Sequence, residues 1–396
     1  MNRLFLGVCA GALGCTFSLQ FSATAIAKSK ETVLHSFGSG TDGQYSLASV
    51  INVKGTLYGT TYAGGSDGLG TVFSVDPDTG AETVIHSFLS GTDGEFPVAN
   101  LTDVKGTLYG TTEFGGSSGE GTVFSVDPAT GAEAVIYSFG SGTDGAGPTA
   151  DLIDVKGTLY GTTDDGGANG DGTVFSLDPT TGAETVVYSF CSQANCADGA
   201  EPYGGLIDVK GTLYGMTFLG GANECDSRGC GTVFSVDPTT GAEAVVHSFG
   251  SGTDGANPYD ALLDVKGTLY GTTGAGGAYG YGTAFSLDPT TGAETVLHSF
   301  GSGSDGFSPA ANLIDVKGTL YGTAFGGGNG SHGGMVFSIS PKTGAEKVIY
   351  DFCSQQGCTD GTQPDAGVID VKGTLYGTTE LGGAYSYGTV WALKKP

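Results

Sequence analysis

One seven-residue string, Val-Lys-Gly-Thr-Leu-Tyr-Gly, recurs seven times, with its lysine at Lys54, Lys105, Lys156, Lys210, Lys266, Lys317 and Lys372. Successive copies lie 51, 51, 54, 56, 51 and 55 residues apart. A period of about fifty residues is the mark of an array of supersecondary units, most often propeller blades, in which each unit buries its apolar face against the next. The repeat therefore dictates architecture. It does not by itself name a ligand or a reaction.

The unit around Lys105 reads as four strands. Asn100-Leu101-Thr102-Asp103-Val104 is short and bounded by Lys105-Gly106, a tight turn in which glycine supplies positive φ. Thr107-Leu108-Tyr109-Gly110-Thr111-Thr112 is rich in β-branched and aromatic residues, as is Thr122-Val123-Phe124-Ser125-Val126 beyond a glycine loop. Asp127-Pro128-Ala129-Thr130-Gly131 is a turn, and Glu133 to Phe139 a fourth strand. Four antiparallel strands with alternating short and long connections make a propeller blade.

The two ends of the array decide between a ring and an open stack. Glu31-Thr32-Val33-Leu34-His35-Ser36-Phe37 is a fourth strand with no blade before it, and Gly388-Thr389-Val390-Trp391-Ala392-Leu393 is a third strand with no fourth after it. Joined in one sheet, they close a seven-bladed, all-β propeller without free edges. An open solenoid would need polar capping repeats, which are missing. Two glycine strings, 64–70 and 166–172, are like calcium β-roll nonapeptides, but they lack a nine-residue period.

The repeat also accounts for the composition. The 74 glycines fall at fixed turn positions, and the net charge of −26 is mostly repeat arithmetic. Every unit has an Asp-Gly (Asp42, Asp93, Asp144, Asp198, Asp254, Asp305, Asp360), and a Glu follows Gly-Ala at Glu82, Glu133, Glu184, Glu243, Glu294 and Glu346. So acidic a surface argues against nucleic acid and anionic membrane as partners. At the N-terminus, Arg3, the apolar run Leu4 to Leu19 and Ala25-Ile26-Ala27 read as a signal peptide over 1–27, ahead of a propeller over 28–396. Lipidation at Cys15 is the alternative. Either places the mature chain in an oxidising space, extracellular or periplasmic, with no membrane span expected in it.

The string Leu-Tyr-Gly-Thr-Thr-x-x-Gly-Gly, followed by Gly-Thr-Val-Phe-Ser-Val-Asp-Pro-x-Thr-Gly-Ala-Glu, resembles the glycine-rich "GloVer" tandem repeat of exported bacterial proteins over residues 31–393. The Gly-Gly and the Asp-Pro-x-Thr-Gly turn are also kelch-like, although Phe88 or Phe139 stands where kelch blades have tryptophan. The resemblance implies a propeller fold and export. It implies no activity.

Candidate chemistry is sparse. His35, His86, His247 and His298 share one repeat position with Tyr137, Tyr188 and Tyr350. A catalytic base or metal ligand would not exchange with tyrosine, so a half-buried planar side chain with a polar tip is the better reading. His332 alone lies in a unit-specific loop. Each Asp-Gly loop offers one carboxylate, fewer than calcium wants, so an Asx-type turn is expected, with bound calcium the alternative. Cys191/Cys196, Cys225/Cys230 and Cys353/Cys358 form three Cys-x4-Cys pairs, which in an exported chain read as local disulfides. A zinc site from Cys191, Cys196, Cys225 and Cys230 would need two loops to converge. No Gly-x-Ser-x-Gly elbow, phosphate loop or metalloprotease helix motif occurs, and no cofactor is implied.

The units differ chiefly in the dipeptide before each Gly-Gly: Tyr62-Ala63, Glu113-Phe114, Asp164-Asp165, Phe218-Leu219, Gly274-Ala275, Phe325-Gly326 and Glu380-Leu381. These loops share one face of the disc with the blade-to-blade connections, and function on a rigid scaffold sits in such loops. Tyr62, Phe114, Phe218 and Phe325 with Glu113, Asp164, Asp165 and Glu380 are the expected ligand contacts. Aromatics among acids suit a glycan or a peptide. The expectation is a monomeric, non-catalytic binding or scaffold protein. The alternatives are a glycan hydrolase or lyase using those acids, and a purely structural surface protein.

Overall fold

The computed structural model describes residues 30–395, apart from 141, 226, 227, 251, 310 and 329–332. The expected signal peptide, Cys15 and His332 lie outside the described residues. Seven four-stranded antiparallel sheets form the ring, with four two-residue ladders on the loops among the described residues. The second blade, for example, runs Thr102–Val104, Thr107–Thr112, Thr122–Val126 and Glu133–Ser138. The first strands of neighbouring blades contact one another, which places them around the axis.

Ring closure is as the sequence requires. Glu31–Ser36 is the outermost strand of the last blade, in the order Ile369–Val371, Thr374–Thr379, Thr389–Lys394, Glu31–Ser36. Its register pairs Glu31 with Leu393, Val33 with Trp391 and Ser36 with Thr389, and Phe37 N–H donates to Gly388 O at 3.0 Å.

The repeated residues each have a task. Lys54 and its six counterparts sit at positive φ together with the glycine that follows, the left-handed pair a two-residue hairpin needs. Asp103 steadies the turn by accepting the Gly106 N–H at 2.7 Å. Between blades, buried aromatic rings meet edge to face or tilted: Phe37 with Phe73 and Phe88 with Phe124 edge-on at 5.0 Å, and so on round to the tilted pair Phe352 with Trp391. Gly59 lies directly under the Phe73 ring, where a Cβ would come within 2.7 Å. The Leu-Tyr-Gly glycine is therefore a packing requirement. Thr60 donates to Ala99 O in the next blade at 3.1 Å, and Thr378 closes the circle by donating to Ala48 O at 2.8 Å.

The outer blade junctions explain the histidines. Nε2 of His35, His86, His247 and His298 lies 2.8, 3.3, 2.9 and 3.0 Å from Oδ2 of Asp42, Asp93, Asp254 and Asp305. Tyr137, Tyr188 and Tyr350 donate their hydroxyls to Asp144, Asp198 and Asp360 at 2.7 to 2.9 Å. Imidazole and phenol thus perform one service, holding the Asp of the following loop. The other oxygen of Asp42, Asp93 and Asp254 accepts the next backbone N–H, and that of Asp198, Asp305 and Asp360 an N–H earlier in the loop. A glutamate of the adjoining blade closes each cluster. Burial, with Asp42 close by, pushes Glu82 up to about 7. Glu31, Glu133, Glu184, Glu243, Glu294 and Glu346 are raised to the same level by the same two causes.

Cys191–Cys196, Cys225–Cys230 and Cys353–Cys358 are disulfides. The four-cysteine zinc alternative therefore has no free thiolates to use. No helix among the described residues is long and apolar enough to cross a membrane.

Candidate functional site

In six of the seven blades the second strand ends on a threonine that turns the chain, and in the sixth it ends on Ala324. Thr112 Oγ1 donates to Phe114 O at 2.9 Å, Glu113 N–H donates to Phe96 O at 3.1 Å, and Phe114–Gly115 pairs with Gly94–Glu95 of the blade-to-blade connection. Extended residues alternate sides, so the two members of the variable dipeptide face opposite ways. In four of the seven units the first member turns toward the axis.

There the loops enclose a funnel of about 520 Å³. Tyr62, Glu113, Asp164 and Phe218, four of the eight expected contacts, line it. Phe114, Asp165, Phe325 and Glu380 are not among its lining residues. Phe114 is 43 % exposed and edge-on to Phe96, while Glu380 lies close enough to the wall residue Asp365 to raise its carboxyl.

Sequence reasoning missed the other half of the wall, which comes from the residues just before each first strand. The positions seven, six and five before the repeat lysine supply Tyr203, Tyr259 and Asp365, then Asp260, then Asn100 and Asp151. A signal was available: Asp260 stands where the other units have Ala or Gly, and Tyr203 and Tyr259 stand where two others have Leu47 and Val98.

The aromatic side of the funnel is a built surface. Tyr203 and Tyr259 stack with centroids 5.2 Å apart and planes 16° apart, and Phe218 stands edge-on to them at 5.4 and 6.0 Å. The acidic side is a partial ring of links between blades. Ser49 N–H donates to Asn100 Oδ1, and Asn100 donates to both Asp151 oxygens at 2.7 and 2.6 Å. Asp260 accepts the Asn312 and Ala261 N–H groups at 2.9 and 2.6 Å. In the fourth blade Gly204 and Gly205 leave the space between these acids open. A Cβ on Gly204 would meet Asp260 O at 2.6 Å, and one on Gly205 would meet Asp151 Cβ at 3.2 Å.

The electrostatics follow from that crowding. Asp151 and Asp260 are both held above the carboxylate range by burial, and Asp151 raises Asp260 further. Burial, then Asp165 and Glu113, push Asp164 up to about 7, and burial with Glu380 pushes Asp365 up to about 6. Burial also raises Glu113. Tyr259 is pushed up to about 12 by burial and by the charges of Asp365, Asp260, Asp164 and Glu113, so four acids converge on one ring. Asp164 Oδ1 and Thr149 Oγ1 are buried without a hydrogen-bond partner among the described residues. The lining residues include no Lys, Arg or His, and no Ser or Cys nucleophile. Such a site can stack a planar or aliphatic group and accept hydrogen bonds or positive charge.

The sequence matches the model of the Gloeobacter/Verrucomicrobia repeat at residues 8–225 and 157–391. No curated protein sequence matches the chain. Among solved structures it is similar to an oligogalacturonate lyase in complex with manganese, at 14 % identity and TM-score 0.56 over 94 % of this chain and 99 % of that one. It is also similar to an oligogalacturonate lyase from Vibrio parahaemolyticus, at 12 % identity and TM-score 0.60 over 94 % and 95 %. At such identities the likeness is one of fold.

Proposed function

The chain belongs to the Gloeobacter/Verrucomicrobia repeat family, and from that premise we propose that it is an exported, non-catalytic binding propeller. It takes its ligand, a glycan or a peptide, into the axial funnel. The supporting observation is the Tyr203–Tyr259–Phe218 wall facing a set of carboxyls, built from residues that vary between the units. Stacked aromatics give contact area at low entropic cost, and the carboxyls give direction. Export is supported by the three disulfides and by the N-terminal targeting pattern.

A second reading, a glycan hydrolase or lyase, is favoured by one observation. Burial, with Asp165 and Glu113 close by, pushes Asp164 up to about 7, which suits a general acid with a second carboxyl, Glu113, near it. The test is a glycan and peptide array probed with the full chain, then a product assay on each hit. Binding that depends on Tyr259 with the ligand recovered intact supports the binding reading. Ligand consumed by the wild type, but not by Asp164→Asn that still binds it, supports the enzyme.

A further inference from the structure

The funnel gathers five carboxyls from four blades, yet no basic side chain is among its lining residues. Elsewhere among the described residues, the junction aspartates and the loop acids have side-chain partners, although one oxygen of each junction glutamate is enclosed without a hydrogen bond. His or Tyr serves the junction aspartates, and Arg228 spans Asp171 and Glu201 in the disulfide-bearing loop of the fourth blade. In the funnel the aspartates have backbone amides and Asn100, while one Asp164 oxygen is enclosed with nothing to bond. Grouped anionic groups of this kind are stabilised by a cation from outside.

The walls say which kind of cation. A hard metal ion wants six or more oxygens and little hydrocarbon. Here the carboxyls alternate with apolar and aromatic surface. Glu113 and Asp164 come from the strand-connecting loops, Asp151 and Asp260 from the entries to the first strands, and Leu47, Val98 and the Tyr203–Tyr259 stack lie among them. That pattern complements a flexible chain of methylenes carrying separated ammonium groups. The ammoniums meet carboxylates and ring faces, and the methylenes meet the apolar wall.

Resting on the reading that the funnel binds a ligand, we infer that its ligand class is a small aliphatic polyamine, held by Glu113, Asp151, Asp164 and Asp260 against Tyr203 and Tyr259. An anionic oligogalacturonide is the opposite of what this site accepts, despite the shared fold.

Isothermal titration of the full chain tests this, with spermidine as probe and maltotriose and trigalacturonate as neutral and anionic controls. A chain of net charge −26 attracts any polycation diffusely, so position must be separated from charge. The paired variant Asp164→Asn/Asp260→Asn is compared with Asp127→Asn/Asp178→Asn, which removes the same charge from exposed turns. Spermidine is expected to bind with 1:1 stoichiometry. The funnel pair and Tyr259→Leu should each weaken it by roughly tenfold or more, and the turn pair by less than about twofold. Equal weakening by both pairs, or no 1:1 binding, overturns the polyamine assignment. If an array glycan or neutral peptide then binds and loses affinity on Tyr259→Leu, the funnel reading stands and only the ligand class fails. If no ligand responds to Tyr259→Leu, both fail.

Discussion

Two parts of this ring collect carboxylic acids, and they do so in opposite ways. At the outer blade junctions the same trio, a Glu, an Asp and a His or Tyr, recurs with the repeat, and each aspartate is held by a neighbouring ring. In the axial funnel the acids are individual. Asp151, Asp260 and Asp365 have no acidic counterpart at the matching place in the other units, and Asp164 shares its place only with Glu113 and Glu380. Repeated acids are part of the architecture. Unit-specific ones, on the same rigid scaffold, are the acids that we propose meet a ligand.

The comparison breaks most severely if the ring is not what holds both regions in place. Removing residues 31–37 leaves Thr389–Lys394 without its outer neighbour and deletes one ring of the Phe37–Phe73 pair. Phe37→Ala alone should cost about 3–5 kcal/mol in urea unfolding, and the deletion more. A deletion that unfolds at the wild-type midpoint would show that the seven blades stand as an open stack.

Next in size is the pH dependence. The seven junction glutamates have folded pKa values raised to about 7 from an ordinary 4.5. The folded state therefore binds more protons than the unfolded chain between those values. Stability is fully present below about 4.5 and is lost as pH rises toward 7. Tm should be higher at pH 5 than at pH 8. Glu82→Gln should raise Tm at pH 8 and leave it nearly unchanged at pH 5. The funnel acids share the sign but differ in remedy. A bound cation favours their ionised form, so spermidine affinity should rise from pH 5 to pH 8 as Asp365 and Asp164 ionise. Titrations at the two pH values check this, and a flat profile would detach those acids from the site.

The three disulfides close loops of only a few residues, each worth roughly 2 kcal/mol at most through the unfolded chain. Mild reduction should lower Tm while leaving the β-sheet circular dichroism and ligand affinity in place. The smallest effect concerns the hairpin lysines. Lys105 sits at φ 56°, in the left-handed region. Lys105→Asn should be neutral or stabilising by a few tenths of a kcal/mol in urea unfolding, because asparagine tolerates that region better.

Much of this molecule was legible in its sequence because a repeat states its own rules many times. Seven copies of Lys-Gly fix the hairpin, and the split strand at 31–37 and 388–393 fixes closure. The exchange of His86 for Tyr137 already said that the position serves packing and a hydrogen bond. The funnel was half legible. The dipeptide before Gly-Gly announced itself by varying, and its first members Tyr62, Glu113, Asp164 and Phe218 do face the axis. Strand alternation turns Phe114 and Asp165 the other way, which spacing alone did not decide. Tyr203, Tyr259, Asp151 and Asp260 were hidden because the entry to each first strand is short and irregular. Only three-dimensional closure brings those entries together around the axis.

In the proposed function the funnel, and not the exposed aromatic rim, carries recognition. Tyr279, Tyr281 and Tyr385 stand on loops outside it, 54 %, 52 % and 51 % exposed, and are the natural rival surface. The most direct measurement titrates one ligand, spermidine or the strongest array hit, against Tyr203→Leu/Tyr259→Leu and against Tyr279→Ser/Tyr281→Ser/Tyr385→Ser. A loss of roughly tenfold or more is expected for the funnel pair, with unchanged Tm, and wild-type affinity for the rim triple. Full affinity in the funnel pair and its loss in the rim triple would contradict it.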